Sequence, residues 1–349
     1  HTGADSRYFN GWGIYGTYGA CLGQDSEFYS LYVFRHFPDD YRCWWGFKDL
    51  PEVNEQNPKW QDAIVTGDRS IVKHWLRHGA AGWRLDVADE LPDSILALIR
   101  NAAKSVKPDA PIIGEVWEDA VTKESYGSRR NYALGYSHGW SDAYGMRDFL
   151  ISQQMNYPKP LYYSLMNLLG SHDVDRLRTA LAADRNLREL SREDQLKYEF
   201  SEGALSRALQ QERLCAAIQF AIPGVPSIYY GDEQGMCGVC DPFNRLPFKE
   251  GEQELHDWYA RLANMRNSAD ALSTGHVRFM AATQDVLLIL RWISDGHDAF
   301  GDAAENGAYL AVINRGAAEV HYRADCSAAG CGTVEGTAEP VSAKIIRIT

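Results

Sequence analysis

Between Lys59 and about Gly275 the chain alternates two kinds of apolar segment, and this alternation constrains the fold more than any other feature. Ile64, Val65, Ile71, Val72, Trp75 and Leu76 recur at helical spacing, and Gly79 is placed to end that helix. A short apolar run from Ala81 to Val87 follows and reads as a strand. Pro92-Asp93 opens a second helix with Ile95, Leu96, Leu98 and Ile99 inward, stopped before Pro108. Further strands are expected over Pro111 to Val116, Leu165 to Ser171 and Val225 to Tyr230. Helices between and after them carry Leu205, Leu209, Leu214 and Ile218, then Leu255, Trp258, Leu262 and Met265. Helix and strand in alternation is the pattern of βα units around a parallel sheet.

Either side of this region the pattern differs. Residues 1–58 are rich in Gly, Tyr, Trp, Asp and Pro and show little periodicity, as expected of a long excursion of loops and short strands. After about Gly275 only strand-like segments remain: His276 to Ala282, Val286 to Ile293, Ala308 to Asn314, Val320 to Arg323 and Lys344 to Ile348. These predict a small antiparallel β domain.

Composition narrows the function. A length of 349 residues allows a large core and more than one domain. The net charge of -12 argues against a nucleic-acid partner or an anionic membrane surface. No apolar run is long enough to span a bilayer. The 7 cysteines are scattered, which favours reduced thiols and a cytoplasmic setting, with secretion as the alternative. Cys237 and Cys240 form a lone pair, two ligands short of a zinc site. With 10 Trp, 19 Tyr and 12 Phe, the chain has many flat rings suited to neutral, amphipathic ligands such as sugars.

The chemistry gathers at strand ends. In Gly82-Trp83-Arg84-Leu85-Asp86-Val87 a period of two puts Arg84 and Asp86 on one face, and a nearby cation favours the charged form of a carboxylate. An ionised carboxylate at a strand mouth is a candidate nucleophile, although an ordinary ion pair has the same appearance. Asp86, Glu115 and Asp173 each stand just past the C-terminal end of a predicted parallel strand. In a (β/α)8 barrel those ends converge on the catalytic face. Two carboxylates, one beside Arg84 and one in the apolar setting of Val116 and Trp117, divide into nucleophile and proton donor, leaving Asp173 to hold the sugar or stabilise developing positive charge. Trp117 either belongs to the core or lines the site; His172 alone reads as a buried structural His, but beside Asp173 it favours function; Asp232 and Glu233 can be read as solvated loop charges.

Three ordered stretches, Gly82-Trp83-Arg84-Leu85-Asp86, Gly114-Glu115-Val116-Trp117 and Asn167-Leu168-Leu169-Gly170-Ser171-His172-Asp173, resemble signatures of the α-amylase family of glycoside hydrolases, family 13. The opening His1 to Asn10 is similar to the tail of a fourth. Ile228 to Glu233, followed by Asp241-Pro242-Phe243-Asn244-Arg245, resembles the neopullulanase and cyclomaltodextrinase branch, although Glu118 stands where that branch often carries His. The resemblance implies a TIM barrel with a C-terminal antiparallel β-sandwich. Residues 1–58 would be the excursion after strand 3, 59–274 would hold strands 4–8, and 275–349 would be the β domain. It implies Asp86 as nucleophile, Glu115 as acid/base and Asp173 as transition-state stabiliser. His1, Arg84 and His172 would contact the sugar at the cleavage point, and Asp241 and Arg245 the next sugar. The function implied is retaining hydrolysis of maltodextrins, pullulan or cyclodextrins, with no cofactor for the chemistry and room for a structural calcium. A transglycosylase sharing the first half-reaction and a catalytically incomplete glucan-binding remnant are the alternatives. Because the first three barrel strands have no counterpart here, a preceding segment or a partner copy is expected to complete the sheet.

Overall fold

The structure is a computed structural model that describes residues 1–116, 133, 135–137, 139 and 141–349. The chain divides into two compact units, His1–Ala120 and Val121–Thr349.

In the first unit the loop-rich opening has a core of its own: Phe9 is buried among Ala4, Ala20, Tyr32 and Tyr41. Its regular structure is limited to the short strands β1 (Phe34–His36) and β2 (Asp40–Tyr41) and a few bridges. Beyond it, strands β3 (Trp83–Leu85) and β4 (Ile112–Gly114) pair in parallel, joined by the helix Asp93–Val106. Ile95 and Ile99 on that helix pack with Val65, Val72 and Leu76, as the apolar spacing predicts. The single helix expected over Ile64 to Leu76 is instead broken: a wide turn at Asp62–Thr66 is followed by a separate helix, Ile71–Arg77. Three β-branched residues and Gly67 weaken the junction, and the carbonyls of Val65 and Thr66 accept from Ser70 Oγ (2.8 Å) and Lys73 Nζ (2.6 Å). The expected stop at Gly79 is observed, with φ at +99°, a conformation that costs glycine little. Gly82 has a different reason: a Cβ there would lie 2.1 Å from the carbonyl oxygen of Pro111, so β3 and β4 could not approach.

In the second unit β5 (Met166–Leu168) and β6 (Val225–Ser227) form another parallel pair, backed by the helix Glu202–Ala221. Two side-chain amides bind them together: Gln219 Nε2 donates to the carbonyls of Asn167 (2.7 Å) and Ser227 (2.9 Å), while Asn167 Nδ2 donates to that of Gln219 (3.3 Å). The C-terminal strands are β7 (His276–Ala281), β8 (Val286–Ile293), β9 (Gly307–Asn314), β10 (Val320–Asp325), β11 (Thr333–Ala338) and β12 (Ser342–Arg347). Four of them form an antiparallel sheet in the order β12-β9-β8-β7, and β10 and β11 form a hairpin. β8 is buried on both sides. Leu287 and Ile289 join a core with the helix residues Leu214 and Ile218, while Leu288 and Leu290 face Tyr322 and Ala324 of the hairpin. That double burial explains a continuous apolar run where alternation would otherwise appear. β11, which the sequence pattern does not announce, is a polar strand (Thr-Val-Glu-Gly-Thr-Ala) that pairs, among the described residues, with β10 alone.

The helix Glu202–Ala221 ends against two buried guanidinium groups. Arg291 on β8 donates to the carbonyl of Ala221 (2.9 Å), and Arg266 donates to those of Phe220 (2.8 Å) and Ile222 (3.3 Å). Carbonyls at a helix end lack intrahelical partners and carry the negative end of the dipole, so cations are favoured there.

Candidate active site

In the first unit Trp83, Arg84 and Leu85 lie opposite Ile112, Ile113 and Gly114, so Asp86 and Glu115 are the next residues at one level of adjacent parallel strands. β3 therefore ends one residue before Asp86, short of the end at Val87 that the apolar run predicts. The main chains stay linked beyond the strand ends: Glu115 N donates to Leu85 O (2.9 Å), and Ala88 N donates to Glu115 O (2.9 Å). Arg84 connects the two carboxylates. Its Nη1 bonds Asp86 Oδ1, and its Nη2 lies 2.9 Å from Glu115 Oε2. The Asp86 side chain is 62% exposed and that of Glu115 18%, so the pair is asymmetric in its access to solvent.

Val87 follows Asp86 with φ at +45°, a left-handed conformation that is a true outlier for a β-branched residue. The turn it makes aims its N–H at Glu115 Oε2, 3.1 Å away. His1 packs its ring against Trp44 (5.8 Å between centroids), and Trp44 stacks on Trp45. Trp45 in turn donates from Nε1 to Glu90 (2.8 Å), just past the Asp86 turn. Trp117 lies outside the described residues.

The second unit holds the other group of residues singled out in the sequence. His172 Nε2 lies 3.1 Å from Asp173 Oδ2, and Arg245 Nη2 lies 3.6 Å from Asp173 Oδ1. Arg245 also pairs with Asp241 (3.1 Å) and donates from Nε to the carbonyl of His172 (3.1 Å). Asp173, His172, Asp241 and Arg245 thus form one cluster. Beneath it Arg176, wholly buried, donates to the carbonyl of Tyr230 (2.6 Å) and lies against the rings of Tyr229 and Tyr230. Asp232 is not the solvated loop charge its sequence context allows: it is buried and pairs with Arg176 at 3.4 Å. Glu233 accepts from the N–H of Gly231 (2.8 Å).

Val87, Arg176 and Asn244 are the site-region residues that sequence reasoning missed. Arg176 lies three residues beyond the Asn167–Asp173 motif, Val87 directly after Asp86, and Asn244 inside the Asp241–Arg245 motif, but no local feature assigns any of them a role. All seven cysteines are free thiols. Among the described residues no three His, Cys, Asp or Glu side chains gather as a metal-ligand set.

The chain matches the family model described as "Alpha amylase, catalytic domain" over residues 28–278. It is 34% identical to an amylopullulanase of Thermoanaerobacter thermohydrosulfuricus over 365 residues, covering 91% of this chain and 24% of that protein. It is 29% identical to neopullulanase 2 of Thermoactinomyces vulgaris over 263 residues, covering 71% of this chain and 40% of that protein. The chain spans 18% to 27% of the length of the amylopullulanases it matches. Among solved structures it resembles the ligand-free cyclic alpha-maltosyl-(1→6)-maltose hydrolase of Arthrobacter globiformis, with a TM-score of 0.77 at 22% identity, covering 99% of this chain and 72% of that one. It also resembles the Nostoc punctiforme debranching enzyme soaked with acarbose, with a TM-score of 0.77 at 21% identity, covering 100% of this chain and 74% of that one. At these identities the likeness shows the fold, that of a TIM-barrel catalytic domain, of which β3–β4 and β5–β6 are parallel-strand pairs. The family match extends over well more than half of the residues and takes in both carboxylate-bearing strand ends, Asp173 and the Asp241–Arg245 segment; the chain belongs to the alpha-amylase family of glycoside hydrolases.

Proposed function

We propose that this chain hydrolyses α-glycosidic bonds of maltodextrins, pullulan or cyclodextrins by double displacement with retention of configuration. The observation that carries the proposal is the bridging of Asp86 and Glu115 by one guanidinium at neighbouring parallel strand ends. Asp86, the more exposed of the two, attacks the anomeric carbon through a carboxylate oxygen while Glu115 gives its proton to the departing glycosidic oxygen. The C–O bond breaks and a glycosyl ester forms on Asp86. Glu115, now ionised, takes a proton from water, whose oxygen attacks the anomeric carbon and displaces Asp86. Arg84 orients both carboxylates through separate nitrogens, and the Val87 N–H fixes the oxygen of Glu115 that it meets.

Asp173 takes the third role of the family pattern, stabilising positive charge as the glycosidic bond opens, with His172 beside it. His1, Arg84 and His172 contact the sugar at the cleavage point, and Asp241 and Arg245 the neighbouring one. The chemistry draws on carboxylates alone; any calcium would be structural. Relatives named amylopullulanase, neopullulanase and cyclomaltodextrinase support this substrate class.

Proton NMR of the first-formed product tests the mechanism. An α-configured reducing end is expected, together with a carboxylate separation of about 5–5.5 Å. A β-configured product would sink it.

A further inference from the structure

Asn244 is fully buried beside the turn that carries His172 and Asp173. Its side-chain Nδ2 is directed at three carbonyls of that turn: His172 (2.8 Å), Val174 (2.8 Å) and Ser171 (3.4 Å). Its own main-chain oxygen accepts from the hydroxyl of Tyr229 (3.2 Å), which holds the Asn244 segment from the other side. Three carbonyls of the partly exposed Ser171–Val174 turn converge on this amide and share its two N–H donors.

The acceptor half of the same amide tells a second story. Asn244 Oδ1 is buried and has no hydrogen-bond partner among the described residues. Leaving a buried acceptor unpaired weakens a fold, and such groups in a native structure call for an explanation. An apolar side chain of similar volume would avoid that loss but could not gather the carbonyls. The donor is what the position requires.

We propose that Asn244 is a positioning residue: it holds the Ser171–Val174 turn in the shape that presents Asp173 and His172 to the sugar. The proposal rests on the role given above to Asp173. Arg245, the next residue, reinforces the geometry through its bond to the carbonyl of His172. Asn244 itself, wholly buried, acts through the turn and does not touch substrate.

Three substitutions, read by kinetics, amide hydrogen exchange and melting, test this on the full chain. Asn244→Asp keeps the shape and removes both donors; Asn244→Ala removes the donors and the unpaired acceptor together. Both should lower kcat on maltotriose at least tenfold with KM changed less than threefold, and speed amide hydrogen exchange over residues 171–174. The Ala variant should melt below the parent, because the turn carbonyls lose their shared donor and a fully buried side chain is truncated, so kcat is compared well below its melting temperature. Asn244→Ser, with one hydroxyl donor, should recover part of the kcat lost in Ala. Activity that falls only in proportion to the unfolded fraction would overturn the proposal. So would wild-type kcat in the Ala variant, or lost kcat with unchanged exchange. If the parent chain itself fails to cleave maltotriose, the proposed function falls, and the exchange measurement alone decides whether Asn244 shapes the turn.

Discussion

Val87 shows what a single residue contributes between two strand-end carboxylates. Its left-handed φ of +45° places its N–H on Glu115 but works against the β-branched side chain. The left-handed region costs a non-glycine residue roughly 1–2 kcal/mol, and strain of this kind concentrates where the surrounding structure needs it. Val87→Gly should therefore raise stability by up to about 1 kcal/mol, once glycine's larger unfolded-state entropy is counted. A urea titration reads this directly, and a clear loss of stability would show that the conformation carries no strain. At Asp86 and Glu115 the expectations concern chemistry. Asp86→Asn should abolish turnover while keeping maltotriose binding, because the amide preserves shape and lacks nucleophilicity. Glu115→Gln should lower kcat on maltotriose by about 10²–10⁴-fold, the usual range for general acid catalysis, and spare an aryl α-maltoside whose leaving group needs no proton. Equal losses on both substrates would remove Glu115 from the acid role. These two carboxylates were legible as strand-end residues, because short apolar runs mark where the strands stop.

At the scale of elements, the helix Glu202–Ala221 repeats the contrast. Its apolar positions predict the helix, and Leu214 and Ile218 are buried as that spacing requires. The same inner surface also buries Glu212, with Oε2 2.7 Å from Arg178 Nε. Burial pushes the Glu212 carboxyl up to about 8; Arg178 pulls it down, though by less, while Asp232 and Glu252 add to the rise. A carboxyl whose folded-state pKa exceeds its unfolded value binds more protons when folded. Stability from this group is then highest below the unfolded value near 4.5 and declines as pH rises towards about 8. Melting curves across that range should show the decline, and Glu212→Gln, which carries no titrating proton, should flatten it. An unchanged slope in the variant would assign the pH dependence elsewhere. Periodicity announces which residues face inward, but the charge beneath them depends on a partner 34 positions away in sequence.

For the molecule as a whole, the family assignment and the carboxylate chemistry set one expectation. The proposed reaction moves protons and a glycosyl group between carboxylates and water, so excess EDTA should leave the turnover of folded protein intact. Chelator that stops turnover while circular dichroism and the melting temperature hold steady would require a metal in the chemical step. No helix among the described residues is long and apolar enough to cross a membrane.

Sequence alone determined the βα alternation, the strand ends next to Asp86 and Glu115, and the antiparallel strands of the C-terminal segment except β11; Asp173 lies beyond a strand that stops at Leu168, short of the predicted Ser171. Each depends on local periodicity or a short motif, and both survive in the order of the residues. The tertiary structure decided the rest. It broke the helix expected over Ile64 to Leu76, because side chains of Ser70 and Lys73 took the carbonyls of Val65 and Thr66. It paired β11 with β10, a match set by register between two strands and not by the apolar content of one. It buried Asp232 on Arg176 and set Asn244 beneath the Asp173 turn, joining segments 56 and 72 residues apart. Hydrogen bonds between distant polar groups leave no periodic trace in sequence, so only the folded chain shows which polar residues are partners.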